Sequence, residues 1–399
     1  MIKSFKFLLC IVLSVLILFT GCSINESQSS QSQTETATSA NLNTISTTSV
    51  ATDDTAKNTH EYNYVSIKQN TDEITAQFDK LIIDENYFGT TYMKVGNDFE
   101  YLKSSGYANK SEHISNSINT CYYTGSITKQ ITAAAVMLLC EQGKLSVDDT
   151  IEKYFPSYEY ADEITIKNLL TMTSGIKNYV NRYNETENFI YVQSDLEDEI
   201  SEDNSAVENK KIILDWILKQ ELVFEPDSKY SFSDSNYYLL GEIIEKAGGK
   251  SYESFVTDNI TKPLGLTCSG FKGSENLSVS YEGNSQSKSA LYPGVGYSST
   301  GFISNISDIL KWVDGLLDGQ ILSMESVDEM FTPYKENFAY GVFVNDNRIS
   351  ITGKTESYNA MLVYKRDKSE IYVSLSNHAF SDPVYVYSLF KNYLSRFYL

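Results

Sequence analysis

The sequence is poor in histidine, cysteine and positive charge, and each shortage removes a class of function. Its 399 residues hold three histidines, His60, His113 and His378. His60 lies in a polar N-terminal stretch, His113 in a loop, and His378 just past a strand end. A Ser-His-Asp triad therefore has no base to draw on. No G-x-S-x-G elbow occurs either. Among the five cysteines none stands at C-x-x-C or Cys/His spacing, so no structural zinc site is expected. Cys121, Cys140 and Cys268 lie in the body of the chain. Their odd number argues against a disulfide scaffold, and they are expected to be small buried apolar residues. Acidic residues outnumber basic ones by 52 to 32, a formal charge of -20. Such a surface repels nucleic acid at long range, and no basic patch reverses it. Acidic side chains of this kind keep a protein soluble. Neither a metal, a cofactor nor a nucleic-acid partner is expected.

Long apolar runs are also missing beyond the N-terminus. Lys3 and Lys6 precede FLLCIVLSVLILF at 7–19. A comfortable membrane span needs ~20 residues, and this run is shorter. Basic start, apolar centre and small-residue end follow the plan of a signal peptide over 1–21. The end of this segment, LFTGC, resembles a bacterial lipobox, which implies that Cys22 becomes the lipidated first residue. Residues 23–60 are rich in Ser, Thr, Asn and Gln and nearly empty of large apolar side chains. They cannot bury enough surface to offset ordering entropy. A flexible stalk is expected over 22–64. The protein would then be extracytoplasmic and held at a bacterial cell membrane by lipid.

A globular domain is expected over 65–399. Ile74, Phe78, Leu81 and Ile82 recur at helical spacing. FGTTYMKV and DFEYLKSS flank Gly96-Asn97-Asp98, a hairpin signal. A long helix is expected from about Ser126 to Glu141, stopped by Gly143. Further helices are expected at 165–175, 210–219, 235–248, 251–260 and 306–318, with a polar, acidic surface loop over 183–209. Four strand-like runs follow: YGVFVND, RISITG, NAMLVYKR and EIYVSLSN. A last helix is expected at 383–397. The order of elements predicts one α+β domain. Its antiparallel sheet would take strands from both ends of the chain and carry an all-helical segment between them.

The chemistry concentrates in Tyr123-Thr124-Gly125-Ser126-Ile127-Thr128-Lys129. Ser126 falls at the start of an apolar helix, and Lys129 follows at i+3 on the same face. A serine hydroxyl is a weak nucleophile until a base takes its proton. A partly desolvated lysine beside it can be that base. Backbone N–H groups at the helix N-terminus can meet a developing oxyanion.

The surroundings of this pair resemble the serine β-lactamase and penicillin-binding protein superfamily, nearest its class C-related branch with D,D-peptidases and esterases. The resemblance runs through GYANK, TGSITKQITAAAVMLLCEQGKLSVDDTIEKYFPSY, ITIKNLLTMTSGI and SFSDSNYYLLGEIIEKAGGKSYESFV. It continues in KPLGLT, STGFISNISDILKWVDGLLDGQILS and YGVFV, in the family's order, over about 70–399. It implies a β-lactamase/transpeptidase-like fold. It further implies that Ser126 forms an acyl-enzyme, that Lys129 assists its deprotonation, and that the N–H groups of Ser126 and Lys354 form an oxyanion hole.

Two motifs depart from the family's pattern. Phe232-Ser233-Asp234 stands where the family usually has Tyr-x-Asn. The proton-relaying phenol is missing, and Asp234 replaces an amide. Tyr230 or Ser233 could substitute for the phenol, or Phe232 could simply pack. Ile351-Thr352-Gly353 stands where a Lys or His usually leads the triplet. Lys354 is a poor substitute for that cation, because neighbours on a strand point to opposite faces. Two functions follow as expectations. One is a serine acyl-transfer hydrolase acting on a D-Ala-type peptide, a cell-wall ester or a β-lactam. The alternative is a catalytically weak or inactive module that binds penicillin or peptidoglycan.

Overall fold

The computed structural model describes residues 64–180, 192–273, 275–287, 291–355 and 357–397. The expected signal peptide, Cys22 and all but the last residue of the stalk lie outside them, as does 183–191 of the expected acidic loop. Two helices open the described chain, α1 (Tyr64–Gln69) and α2 (Thr71–Asp84), followed by strands β1 (Gly89–Val95) and β2 (Phe99–Ser105). A helical segment comes next: α3 (Thr128–Glu141), α4 (Ile166–Leu170), α5 (Ala206–Ile217), α6 (Asp234–Gly248), α7 (Tyr252–Val256), the single turn α8 (Tyr297–Thr300), α9 (Ile306–Leu317) and α10 (Met324–Met330). Strands β3 (Phe343–Asn345), β4 (Arg348–Lys354), β5 (Asn359–Lys365) and β6 (Glu370–Ser376) then lead into α11 (Pro383–Leu394).

The main sheet has the order β2-β1-β6-β5-β4-β3, and its pairings are antiparallel. The hairpin signal is realised: Gly89 pairs with Ser105 and Val95 with Phe99, around the turn at Gly96. The two ends of the chain meet where β1 pairs with β6, Thr90 opposite Leu375 and Val95 opposite Glu370. The fold is thus α+β, as the element order predicts.

Apolar spacing explains the packing. Ile74, Phe78 and Ile82 of α2 are buried. Phe78 stacks on Phe390 of α11 with ring centroids 3.7 Å apart. It also meets Phe99 and Tyr101 of β2 edge-on, so the terminal helices clamp the hairpin. The middle of the domain centres on α3, which is buried on all sides from Thr128 to Leu139. A helix apolar all round belongs in the interior. Its polar side chains need partners there. Gln130 accepts from the Trp312 indole of α9 at 2.8 Å and donates to the Tyr364 hydroxyl of β5.

Three expectations need correction. Cys121 and Cys268 are joined in a disulfide with Cα atoms 6.5 Å apart, a separation that suits such a bond, while Cys140 is free. An odd count of cysteines hid a pair plus a single thiol. The expected acidic loop is not all surface: Val192, Leu196 and Ile200 are buried. Its end is helical, because Ser205 and Glu208 form a capping box that starts α5 at Ala206, four residues earlier than periodicity indicated.

The disulfide closes a separation of 147 residues. Replacing both cysteines by serine should lower unfolding stability by about 2–5 kcal/mol, read as a lower urea midpoint with an unchanged slope. An unshifted midpoint would show that the crosslink contributes nothing.

Candidate active site

Two glycines create the seam on which the site is built. Gly125 has a φ of 54°, a left-handed conformation that suits glycine. A Cβ there would sit 2.5 Å from the Lys354 nitrogen. A Cβ on Gly353 would lie 1.9 Å from the Thr124 carbonyl oxygen and 3.1 Å from the Ser126 nitrogen. Strand β4 can therefore run against the backbone that leads into α3, with the backbone nitrogens of Ser126 and Lys354 both lying at this seam. Side chains pin the turn. Thr128 donates to the Gly125 carbonyl at 2.6 Å and accepts from the Phe302 N–H at 3.1 Å, while Thr124 donates to the Phe302 carbonyl at 2.9 Å.

Ser126 sits in a single tight turn, Gly125–Ile127, directly before α3. Lys129, one turn on, is fully buried and places Nζ 2.9 Å from Ser126 Oγ. The i, i+3 spacing thus produces the contact it implies. Lys129 also donates to Asp234 Oδ1 at 2.7 Å, to Ser299 Oγ at 3.0 Å and to the Ser299 carbonyl at 3.1 Å. Ser299 Oγ in turn donates to Asp234 Oδ1 at 2.8 Å. A buried ammonium is costly to desolvate unless paired, and the Asp234 carboxylate pairs it. The Phe232 ring lies 5.0 Å from Lys129 Nζ and the Tyr237 ring 5.7 Å, both within cation–π range.

The second motif is presented by a strained turn. Met172 has a φ of 59° and accepts from the Ser233 N–H through its sulfur at 3.4 Å. Asp234 is the first residue of α6, where a carboxylate meets the positive end of the helix. Its own N–H donates to Asn178 Oδ1 at 2.9 Å. Ser299 is carried by α8, whose first residue, Tyr297, has a φ of 36°, strained for a bulky residue. The Tyr297 hydroxyl is anchored on Glu245 at 2.8 Å, and Ser298 donates to the Tyr237 carbonyl at 2.8 Å, so α8 is seated on α6.

The expected site residues fall into two groups. Ser126, Lys129 and Asp234 come together, and Phe232 covers them as a packing ring. Tyr230 packs its ring against Phe338 and Phe343, 5.4 and 6.2 Å between centroids. Ser233 buries a hydroxyl that has no hydrogen-bond partner among the described residues. Ile351 is buried in the core, while Thr352 and Lys354 share the opposite, exposed face of β4. Sequence reasoning assigned no role to Ser299 or Asn178. Ser299 opens STGFISN, a segment matched to the family without a function attached, and no pattern marks Asn178. Among the described residues no group of three or more His, Cys, Asp or Glu is arranged to hold a metal ion.

An antiparallel sheet with a helical segment inside it, and a Ser-x-x-Lys pair at the foot of the central helix, define a β-lactamase/transpeptidase-like serine hydrolase. A sequence profile described as Beta-lactamase matches residues 84–387, and the chain belongs to that family. The chain is 28% identical to "Putative penicillin-binding protein PbpX" of Bacillus subtilis, over 73% of this chain and 71% of that protein. A penicillin-binding protein from Bacillus halodurans has the same fold, with a TM-score of 0.70 at 24% identity, over 79% of this chain and 99% of the other. A D-amino acid amidase from Ochrobactrum anthropi SV3 superposes with a TM-score of 0.64 at 19% identity, over 80% and 99% of the two chains.

The glycine seam is testable. Gly353→Ala forces β4 away from Thr124. It should slow labelling of Ser126 by a fluorophosphonate about 10²-fold while leaving the far-UV circular dichroism spectrum unchanged, because displacements near 1 Å cost that much in reactivity. Labelling at the parental rate would mean that the seam does not set the site.

Proposed function

We propose that the protein is a serine acyl-transfer hydrolase. Ser126 attacks a carbonyl carbon, its proton passes to Lys129, and the N–H groups of Ser126 and Lys354 receive the oxyanion. Water or an acceptor then releases the acyl group. The observation that carries this reading is the 2.9 Å contact between Lys129 Nζ and Ser126 Oγ at the start of a buried helix. Family membership supports it.

The substrates we propose are acyl compounds of the cell wall: D-Ala-terminated peptides, or D-alanyl esters such as those on teichoic acid. Ile351 stands where the family usually has a cation that helps hold a substrate carboxylate. Losing a charge-assisted contact costs about 1.5–3 kcal/mol, which disfavours β-lactams and, of the two substrates just named, favours the ester over the D-Ala-terminated peptide with its free carboxylate. A D-alanyl ester carries an ammonium instead, which suits a chain of net charge -20. The resemblance to a D-amino acid amidase points the same way.

Phe232, a phenyl in place of a phenol, favours a second reading: a module that holds a penicillin-like ligand with little or no turnover. Labelling with a fluorescent penicillin and a fluorophosphonate, with Ser126→Ala as control, separates the two. We expect labelling by the fluorophosphonate, weaker labelling by the penicillin, and neither in the control. Absence of any covalent adduct would remove the enzyme reading. Rapid turnover of a chromogenic cephalosporin would show that the missing cation is dispensable.

We further propose that Cys22 is lipidated and holds the domain outside the cytoplasm, at the membrane, within reach of the wall. A disulfide in the domain fits an oxidising, extracytoplasmic location. Incorporation of a palmitate analogue should disappear in Cys22→Ala, and persistence of the label would refute the anchor.

A further inference from the structure

We propose that Asp234 is the terminal proton acceptor of this site, taking through Lys129 the proton that leaves Ser126, with Ser299 holding the two together. The proposal rests on the acyl-transfer reading above. It starts from a count of hydrogen bonds. The Asp234 carboxylate and the Ser299 carbonyl can only accept from Lys129. The Ser299 hydroxyl spends its hydrogen on Asp234, so toward Lys129 it also accepts. Three acceptors call for three N–H groups, the number an ammonium has and an amine lacks. Ser126 Oγ shares this donor as a fourth neighbour. The resting lysine is therefore charged and has no lone pair with which to act as a base.

Asp234 resolves the difficulty. As Ser126 gives its hydroxyl proton to Lys129 Nζ, Lys129 gives one of its own to Asp234 Oδ1. One O–H bond breaks at Ser126 and one forms at Asp234. Lys129 ends as it began, and the summed charge of the three groups is unchanged, which suits an interior where net charge is expensive. Ser126 Oγ then bonds to the acyl carbon. When the leaving group departs it takes a proton from Lys129, and Asp234 returns its proton to Lys129. An asparagine amide at this position could not accept a proton. The motif that lost a phenol at Phe232 has thus gained a carboxylate two residues later.

Among the described residues, the other ionisable groups near the unit do not compete. Tyr237 of α6, Tyr297 of α8 and Tyr340 beside Gly341 are all pushed far up by burial and stay neutral. Tyr230 packs in an aromatic cluster, and Lys354, across the seam, is a cation rather than an acceptor.

The test is the pH dependence of fluorophosphonate labelling of Ser126. It is read on the full domain for the parent, Asp234→Asn and Ser299→Ala. With the relay, the parental rate is flat from about pH 6 to about pH 9, because the Lys–Asp pair holds the same protons throughout. Asp234→Asn should be about 10²-fold slower at neutral pH and rise about tenfold per pH unit, since Lys129 must then lose its proton to solvent first. Ser299→Ala should lose about fivefold, the worth of one hydrogen bond, and keep the flat profile. A parental rate that itself climbs with pH overturns the relay, and so does an Asp234→Asn variant that is faster at neutral pH. Either result would make Asp234 a latch on Lys129. The parental profile needs no variant, so a misfolded substitution does not blunt the test. A parent that no probe labels removes the acyl-transfer reading and the relay together; a labelled parent with the wrong profile removes the relay alone.

Discussion

One buried charge organises the centre of this protein. Lys129 sits in the first turn of the buried helix α3, with none of its surface open to water. An ammonium in that place has to be surrounded by acceptors. Much of the local architecture serves this need. Helix α6 starts at Asp234, so that its first side chain is a carboxylate at the lysine. Helix α8 is a single strained turn that delivers both a carbonyl and a hydroxyl of Ser299. Two aromatic rings close the remaining side. The serine is bonded to the one neighbour that the rest of the shell exists to stabilise.

The departures in the two later motifs are of different kinds. Ile351 continues the apolar face of β4 and joins the core, so its substitution is settled by packing and leaves no polar trace. The change across Phe232 and Asp234 is chemical. It removes a neutral hydroxyl and adds a carboxylate within hydrogen-bonding distance of the lysine. A single motif therefore loses one proton-handling group and gains another, without disturbing the helix that carries it.

Much of this was legible in the sequence wherever the signal was local. The hairpin around Gly96, the apolar face of α2, the buried α3 and the C-terminal strands all follow from periodicity and turn residues. That the sheet takes strands from both ends of the chain follows from element order. Ser126 and Lys129 were visible because helical spacing brings them together and the segments around them resemble the family. Ser299 was not, because it reaches Lys129 from 170 residues away, through a turn whose strain has no compositional mark. The disulfide was hidden for the same reason: Cys121 and Cys268 meet through tertiary packing, and parity of the count misled. The capping box at Ser205 was local and readable, but its S-x-x-E pattern lay inside a stretch whose acidity drew attention to solvent.

The contact between Gly125 and Gly353 also joins distant parts of the sequence, which bears on the proposed acyl-transfer reading. These residues come from opposite ends of the domain's sequence, on either side of the whole helical segment. A chain that has emerged only as far as α10 holds Ser126 and Lys129 but lacks β4 to lay against them. Contacts this far apart in sequence form late, after the loop-closure entropy has been overcome. Under the acyl-transfer reading proposed above, Ser126 thus stays without its second backbone N–H until β4 is in place, and its reactivity would be a report on completed folding.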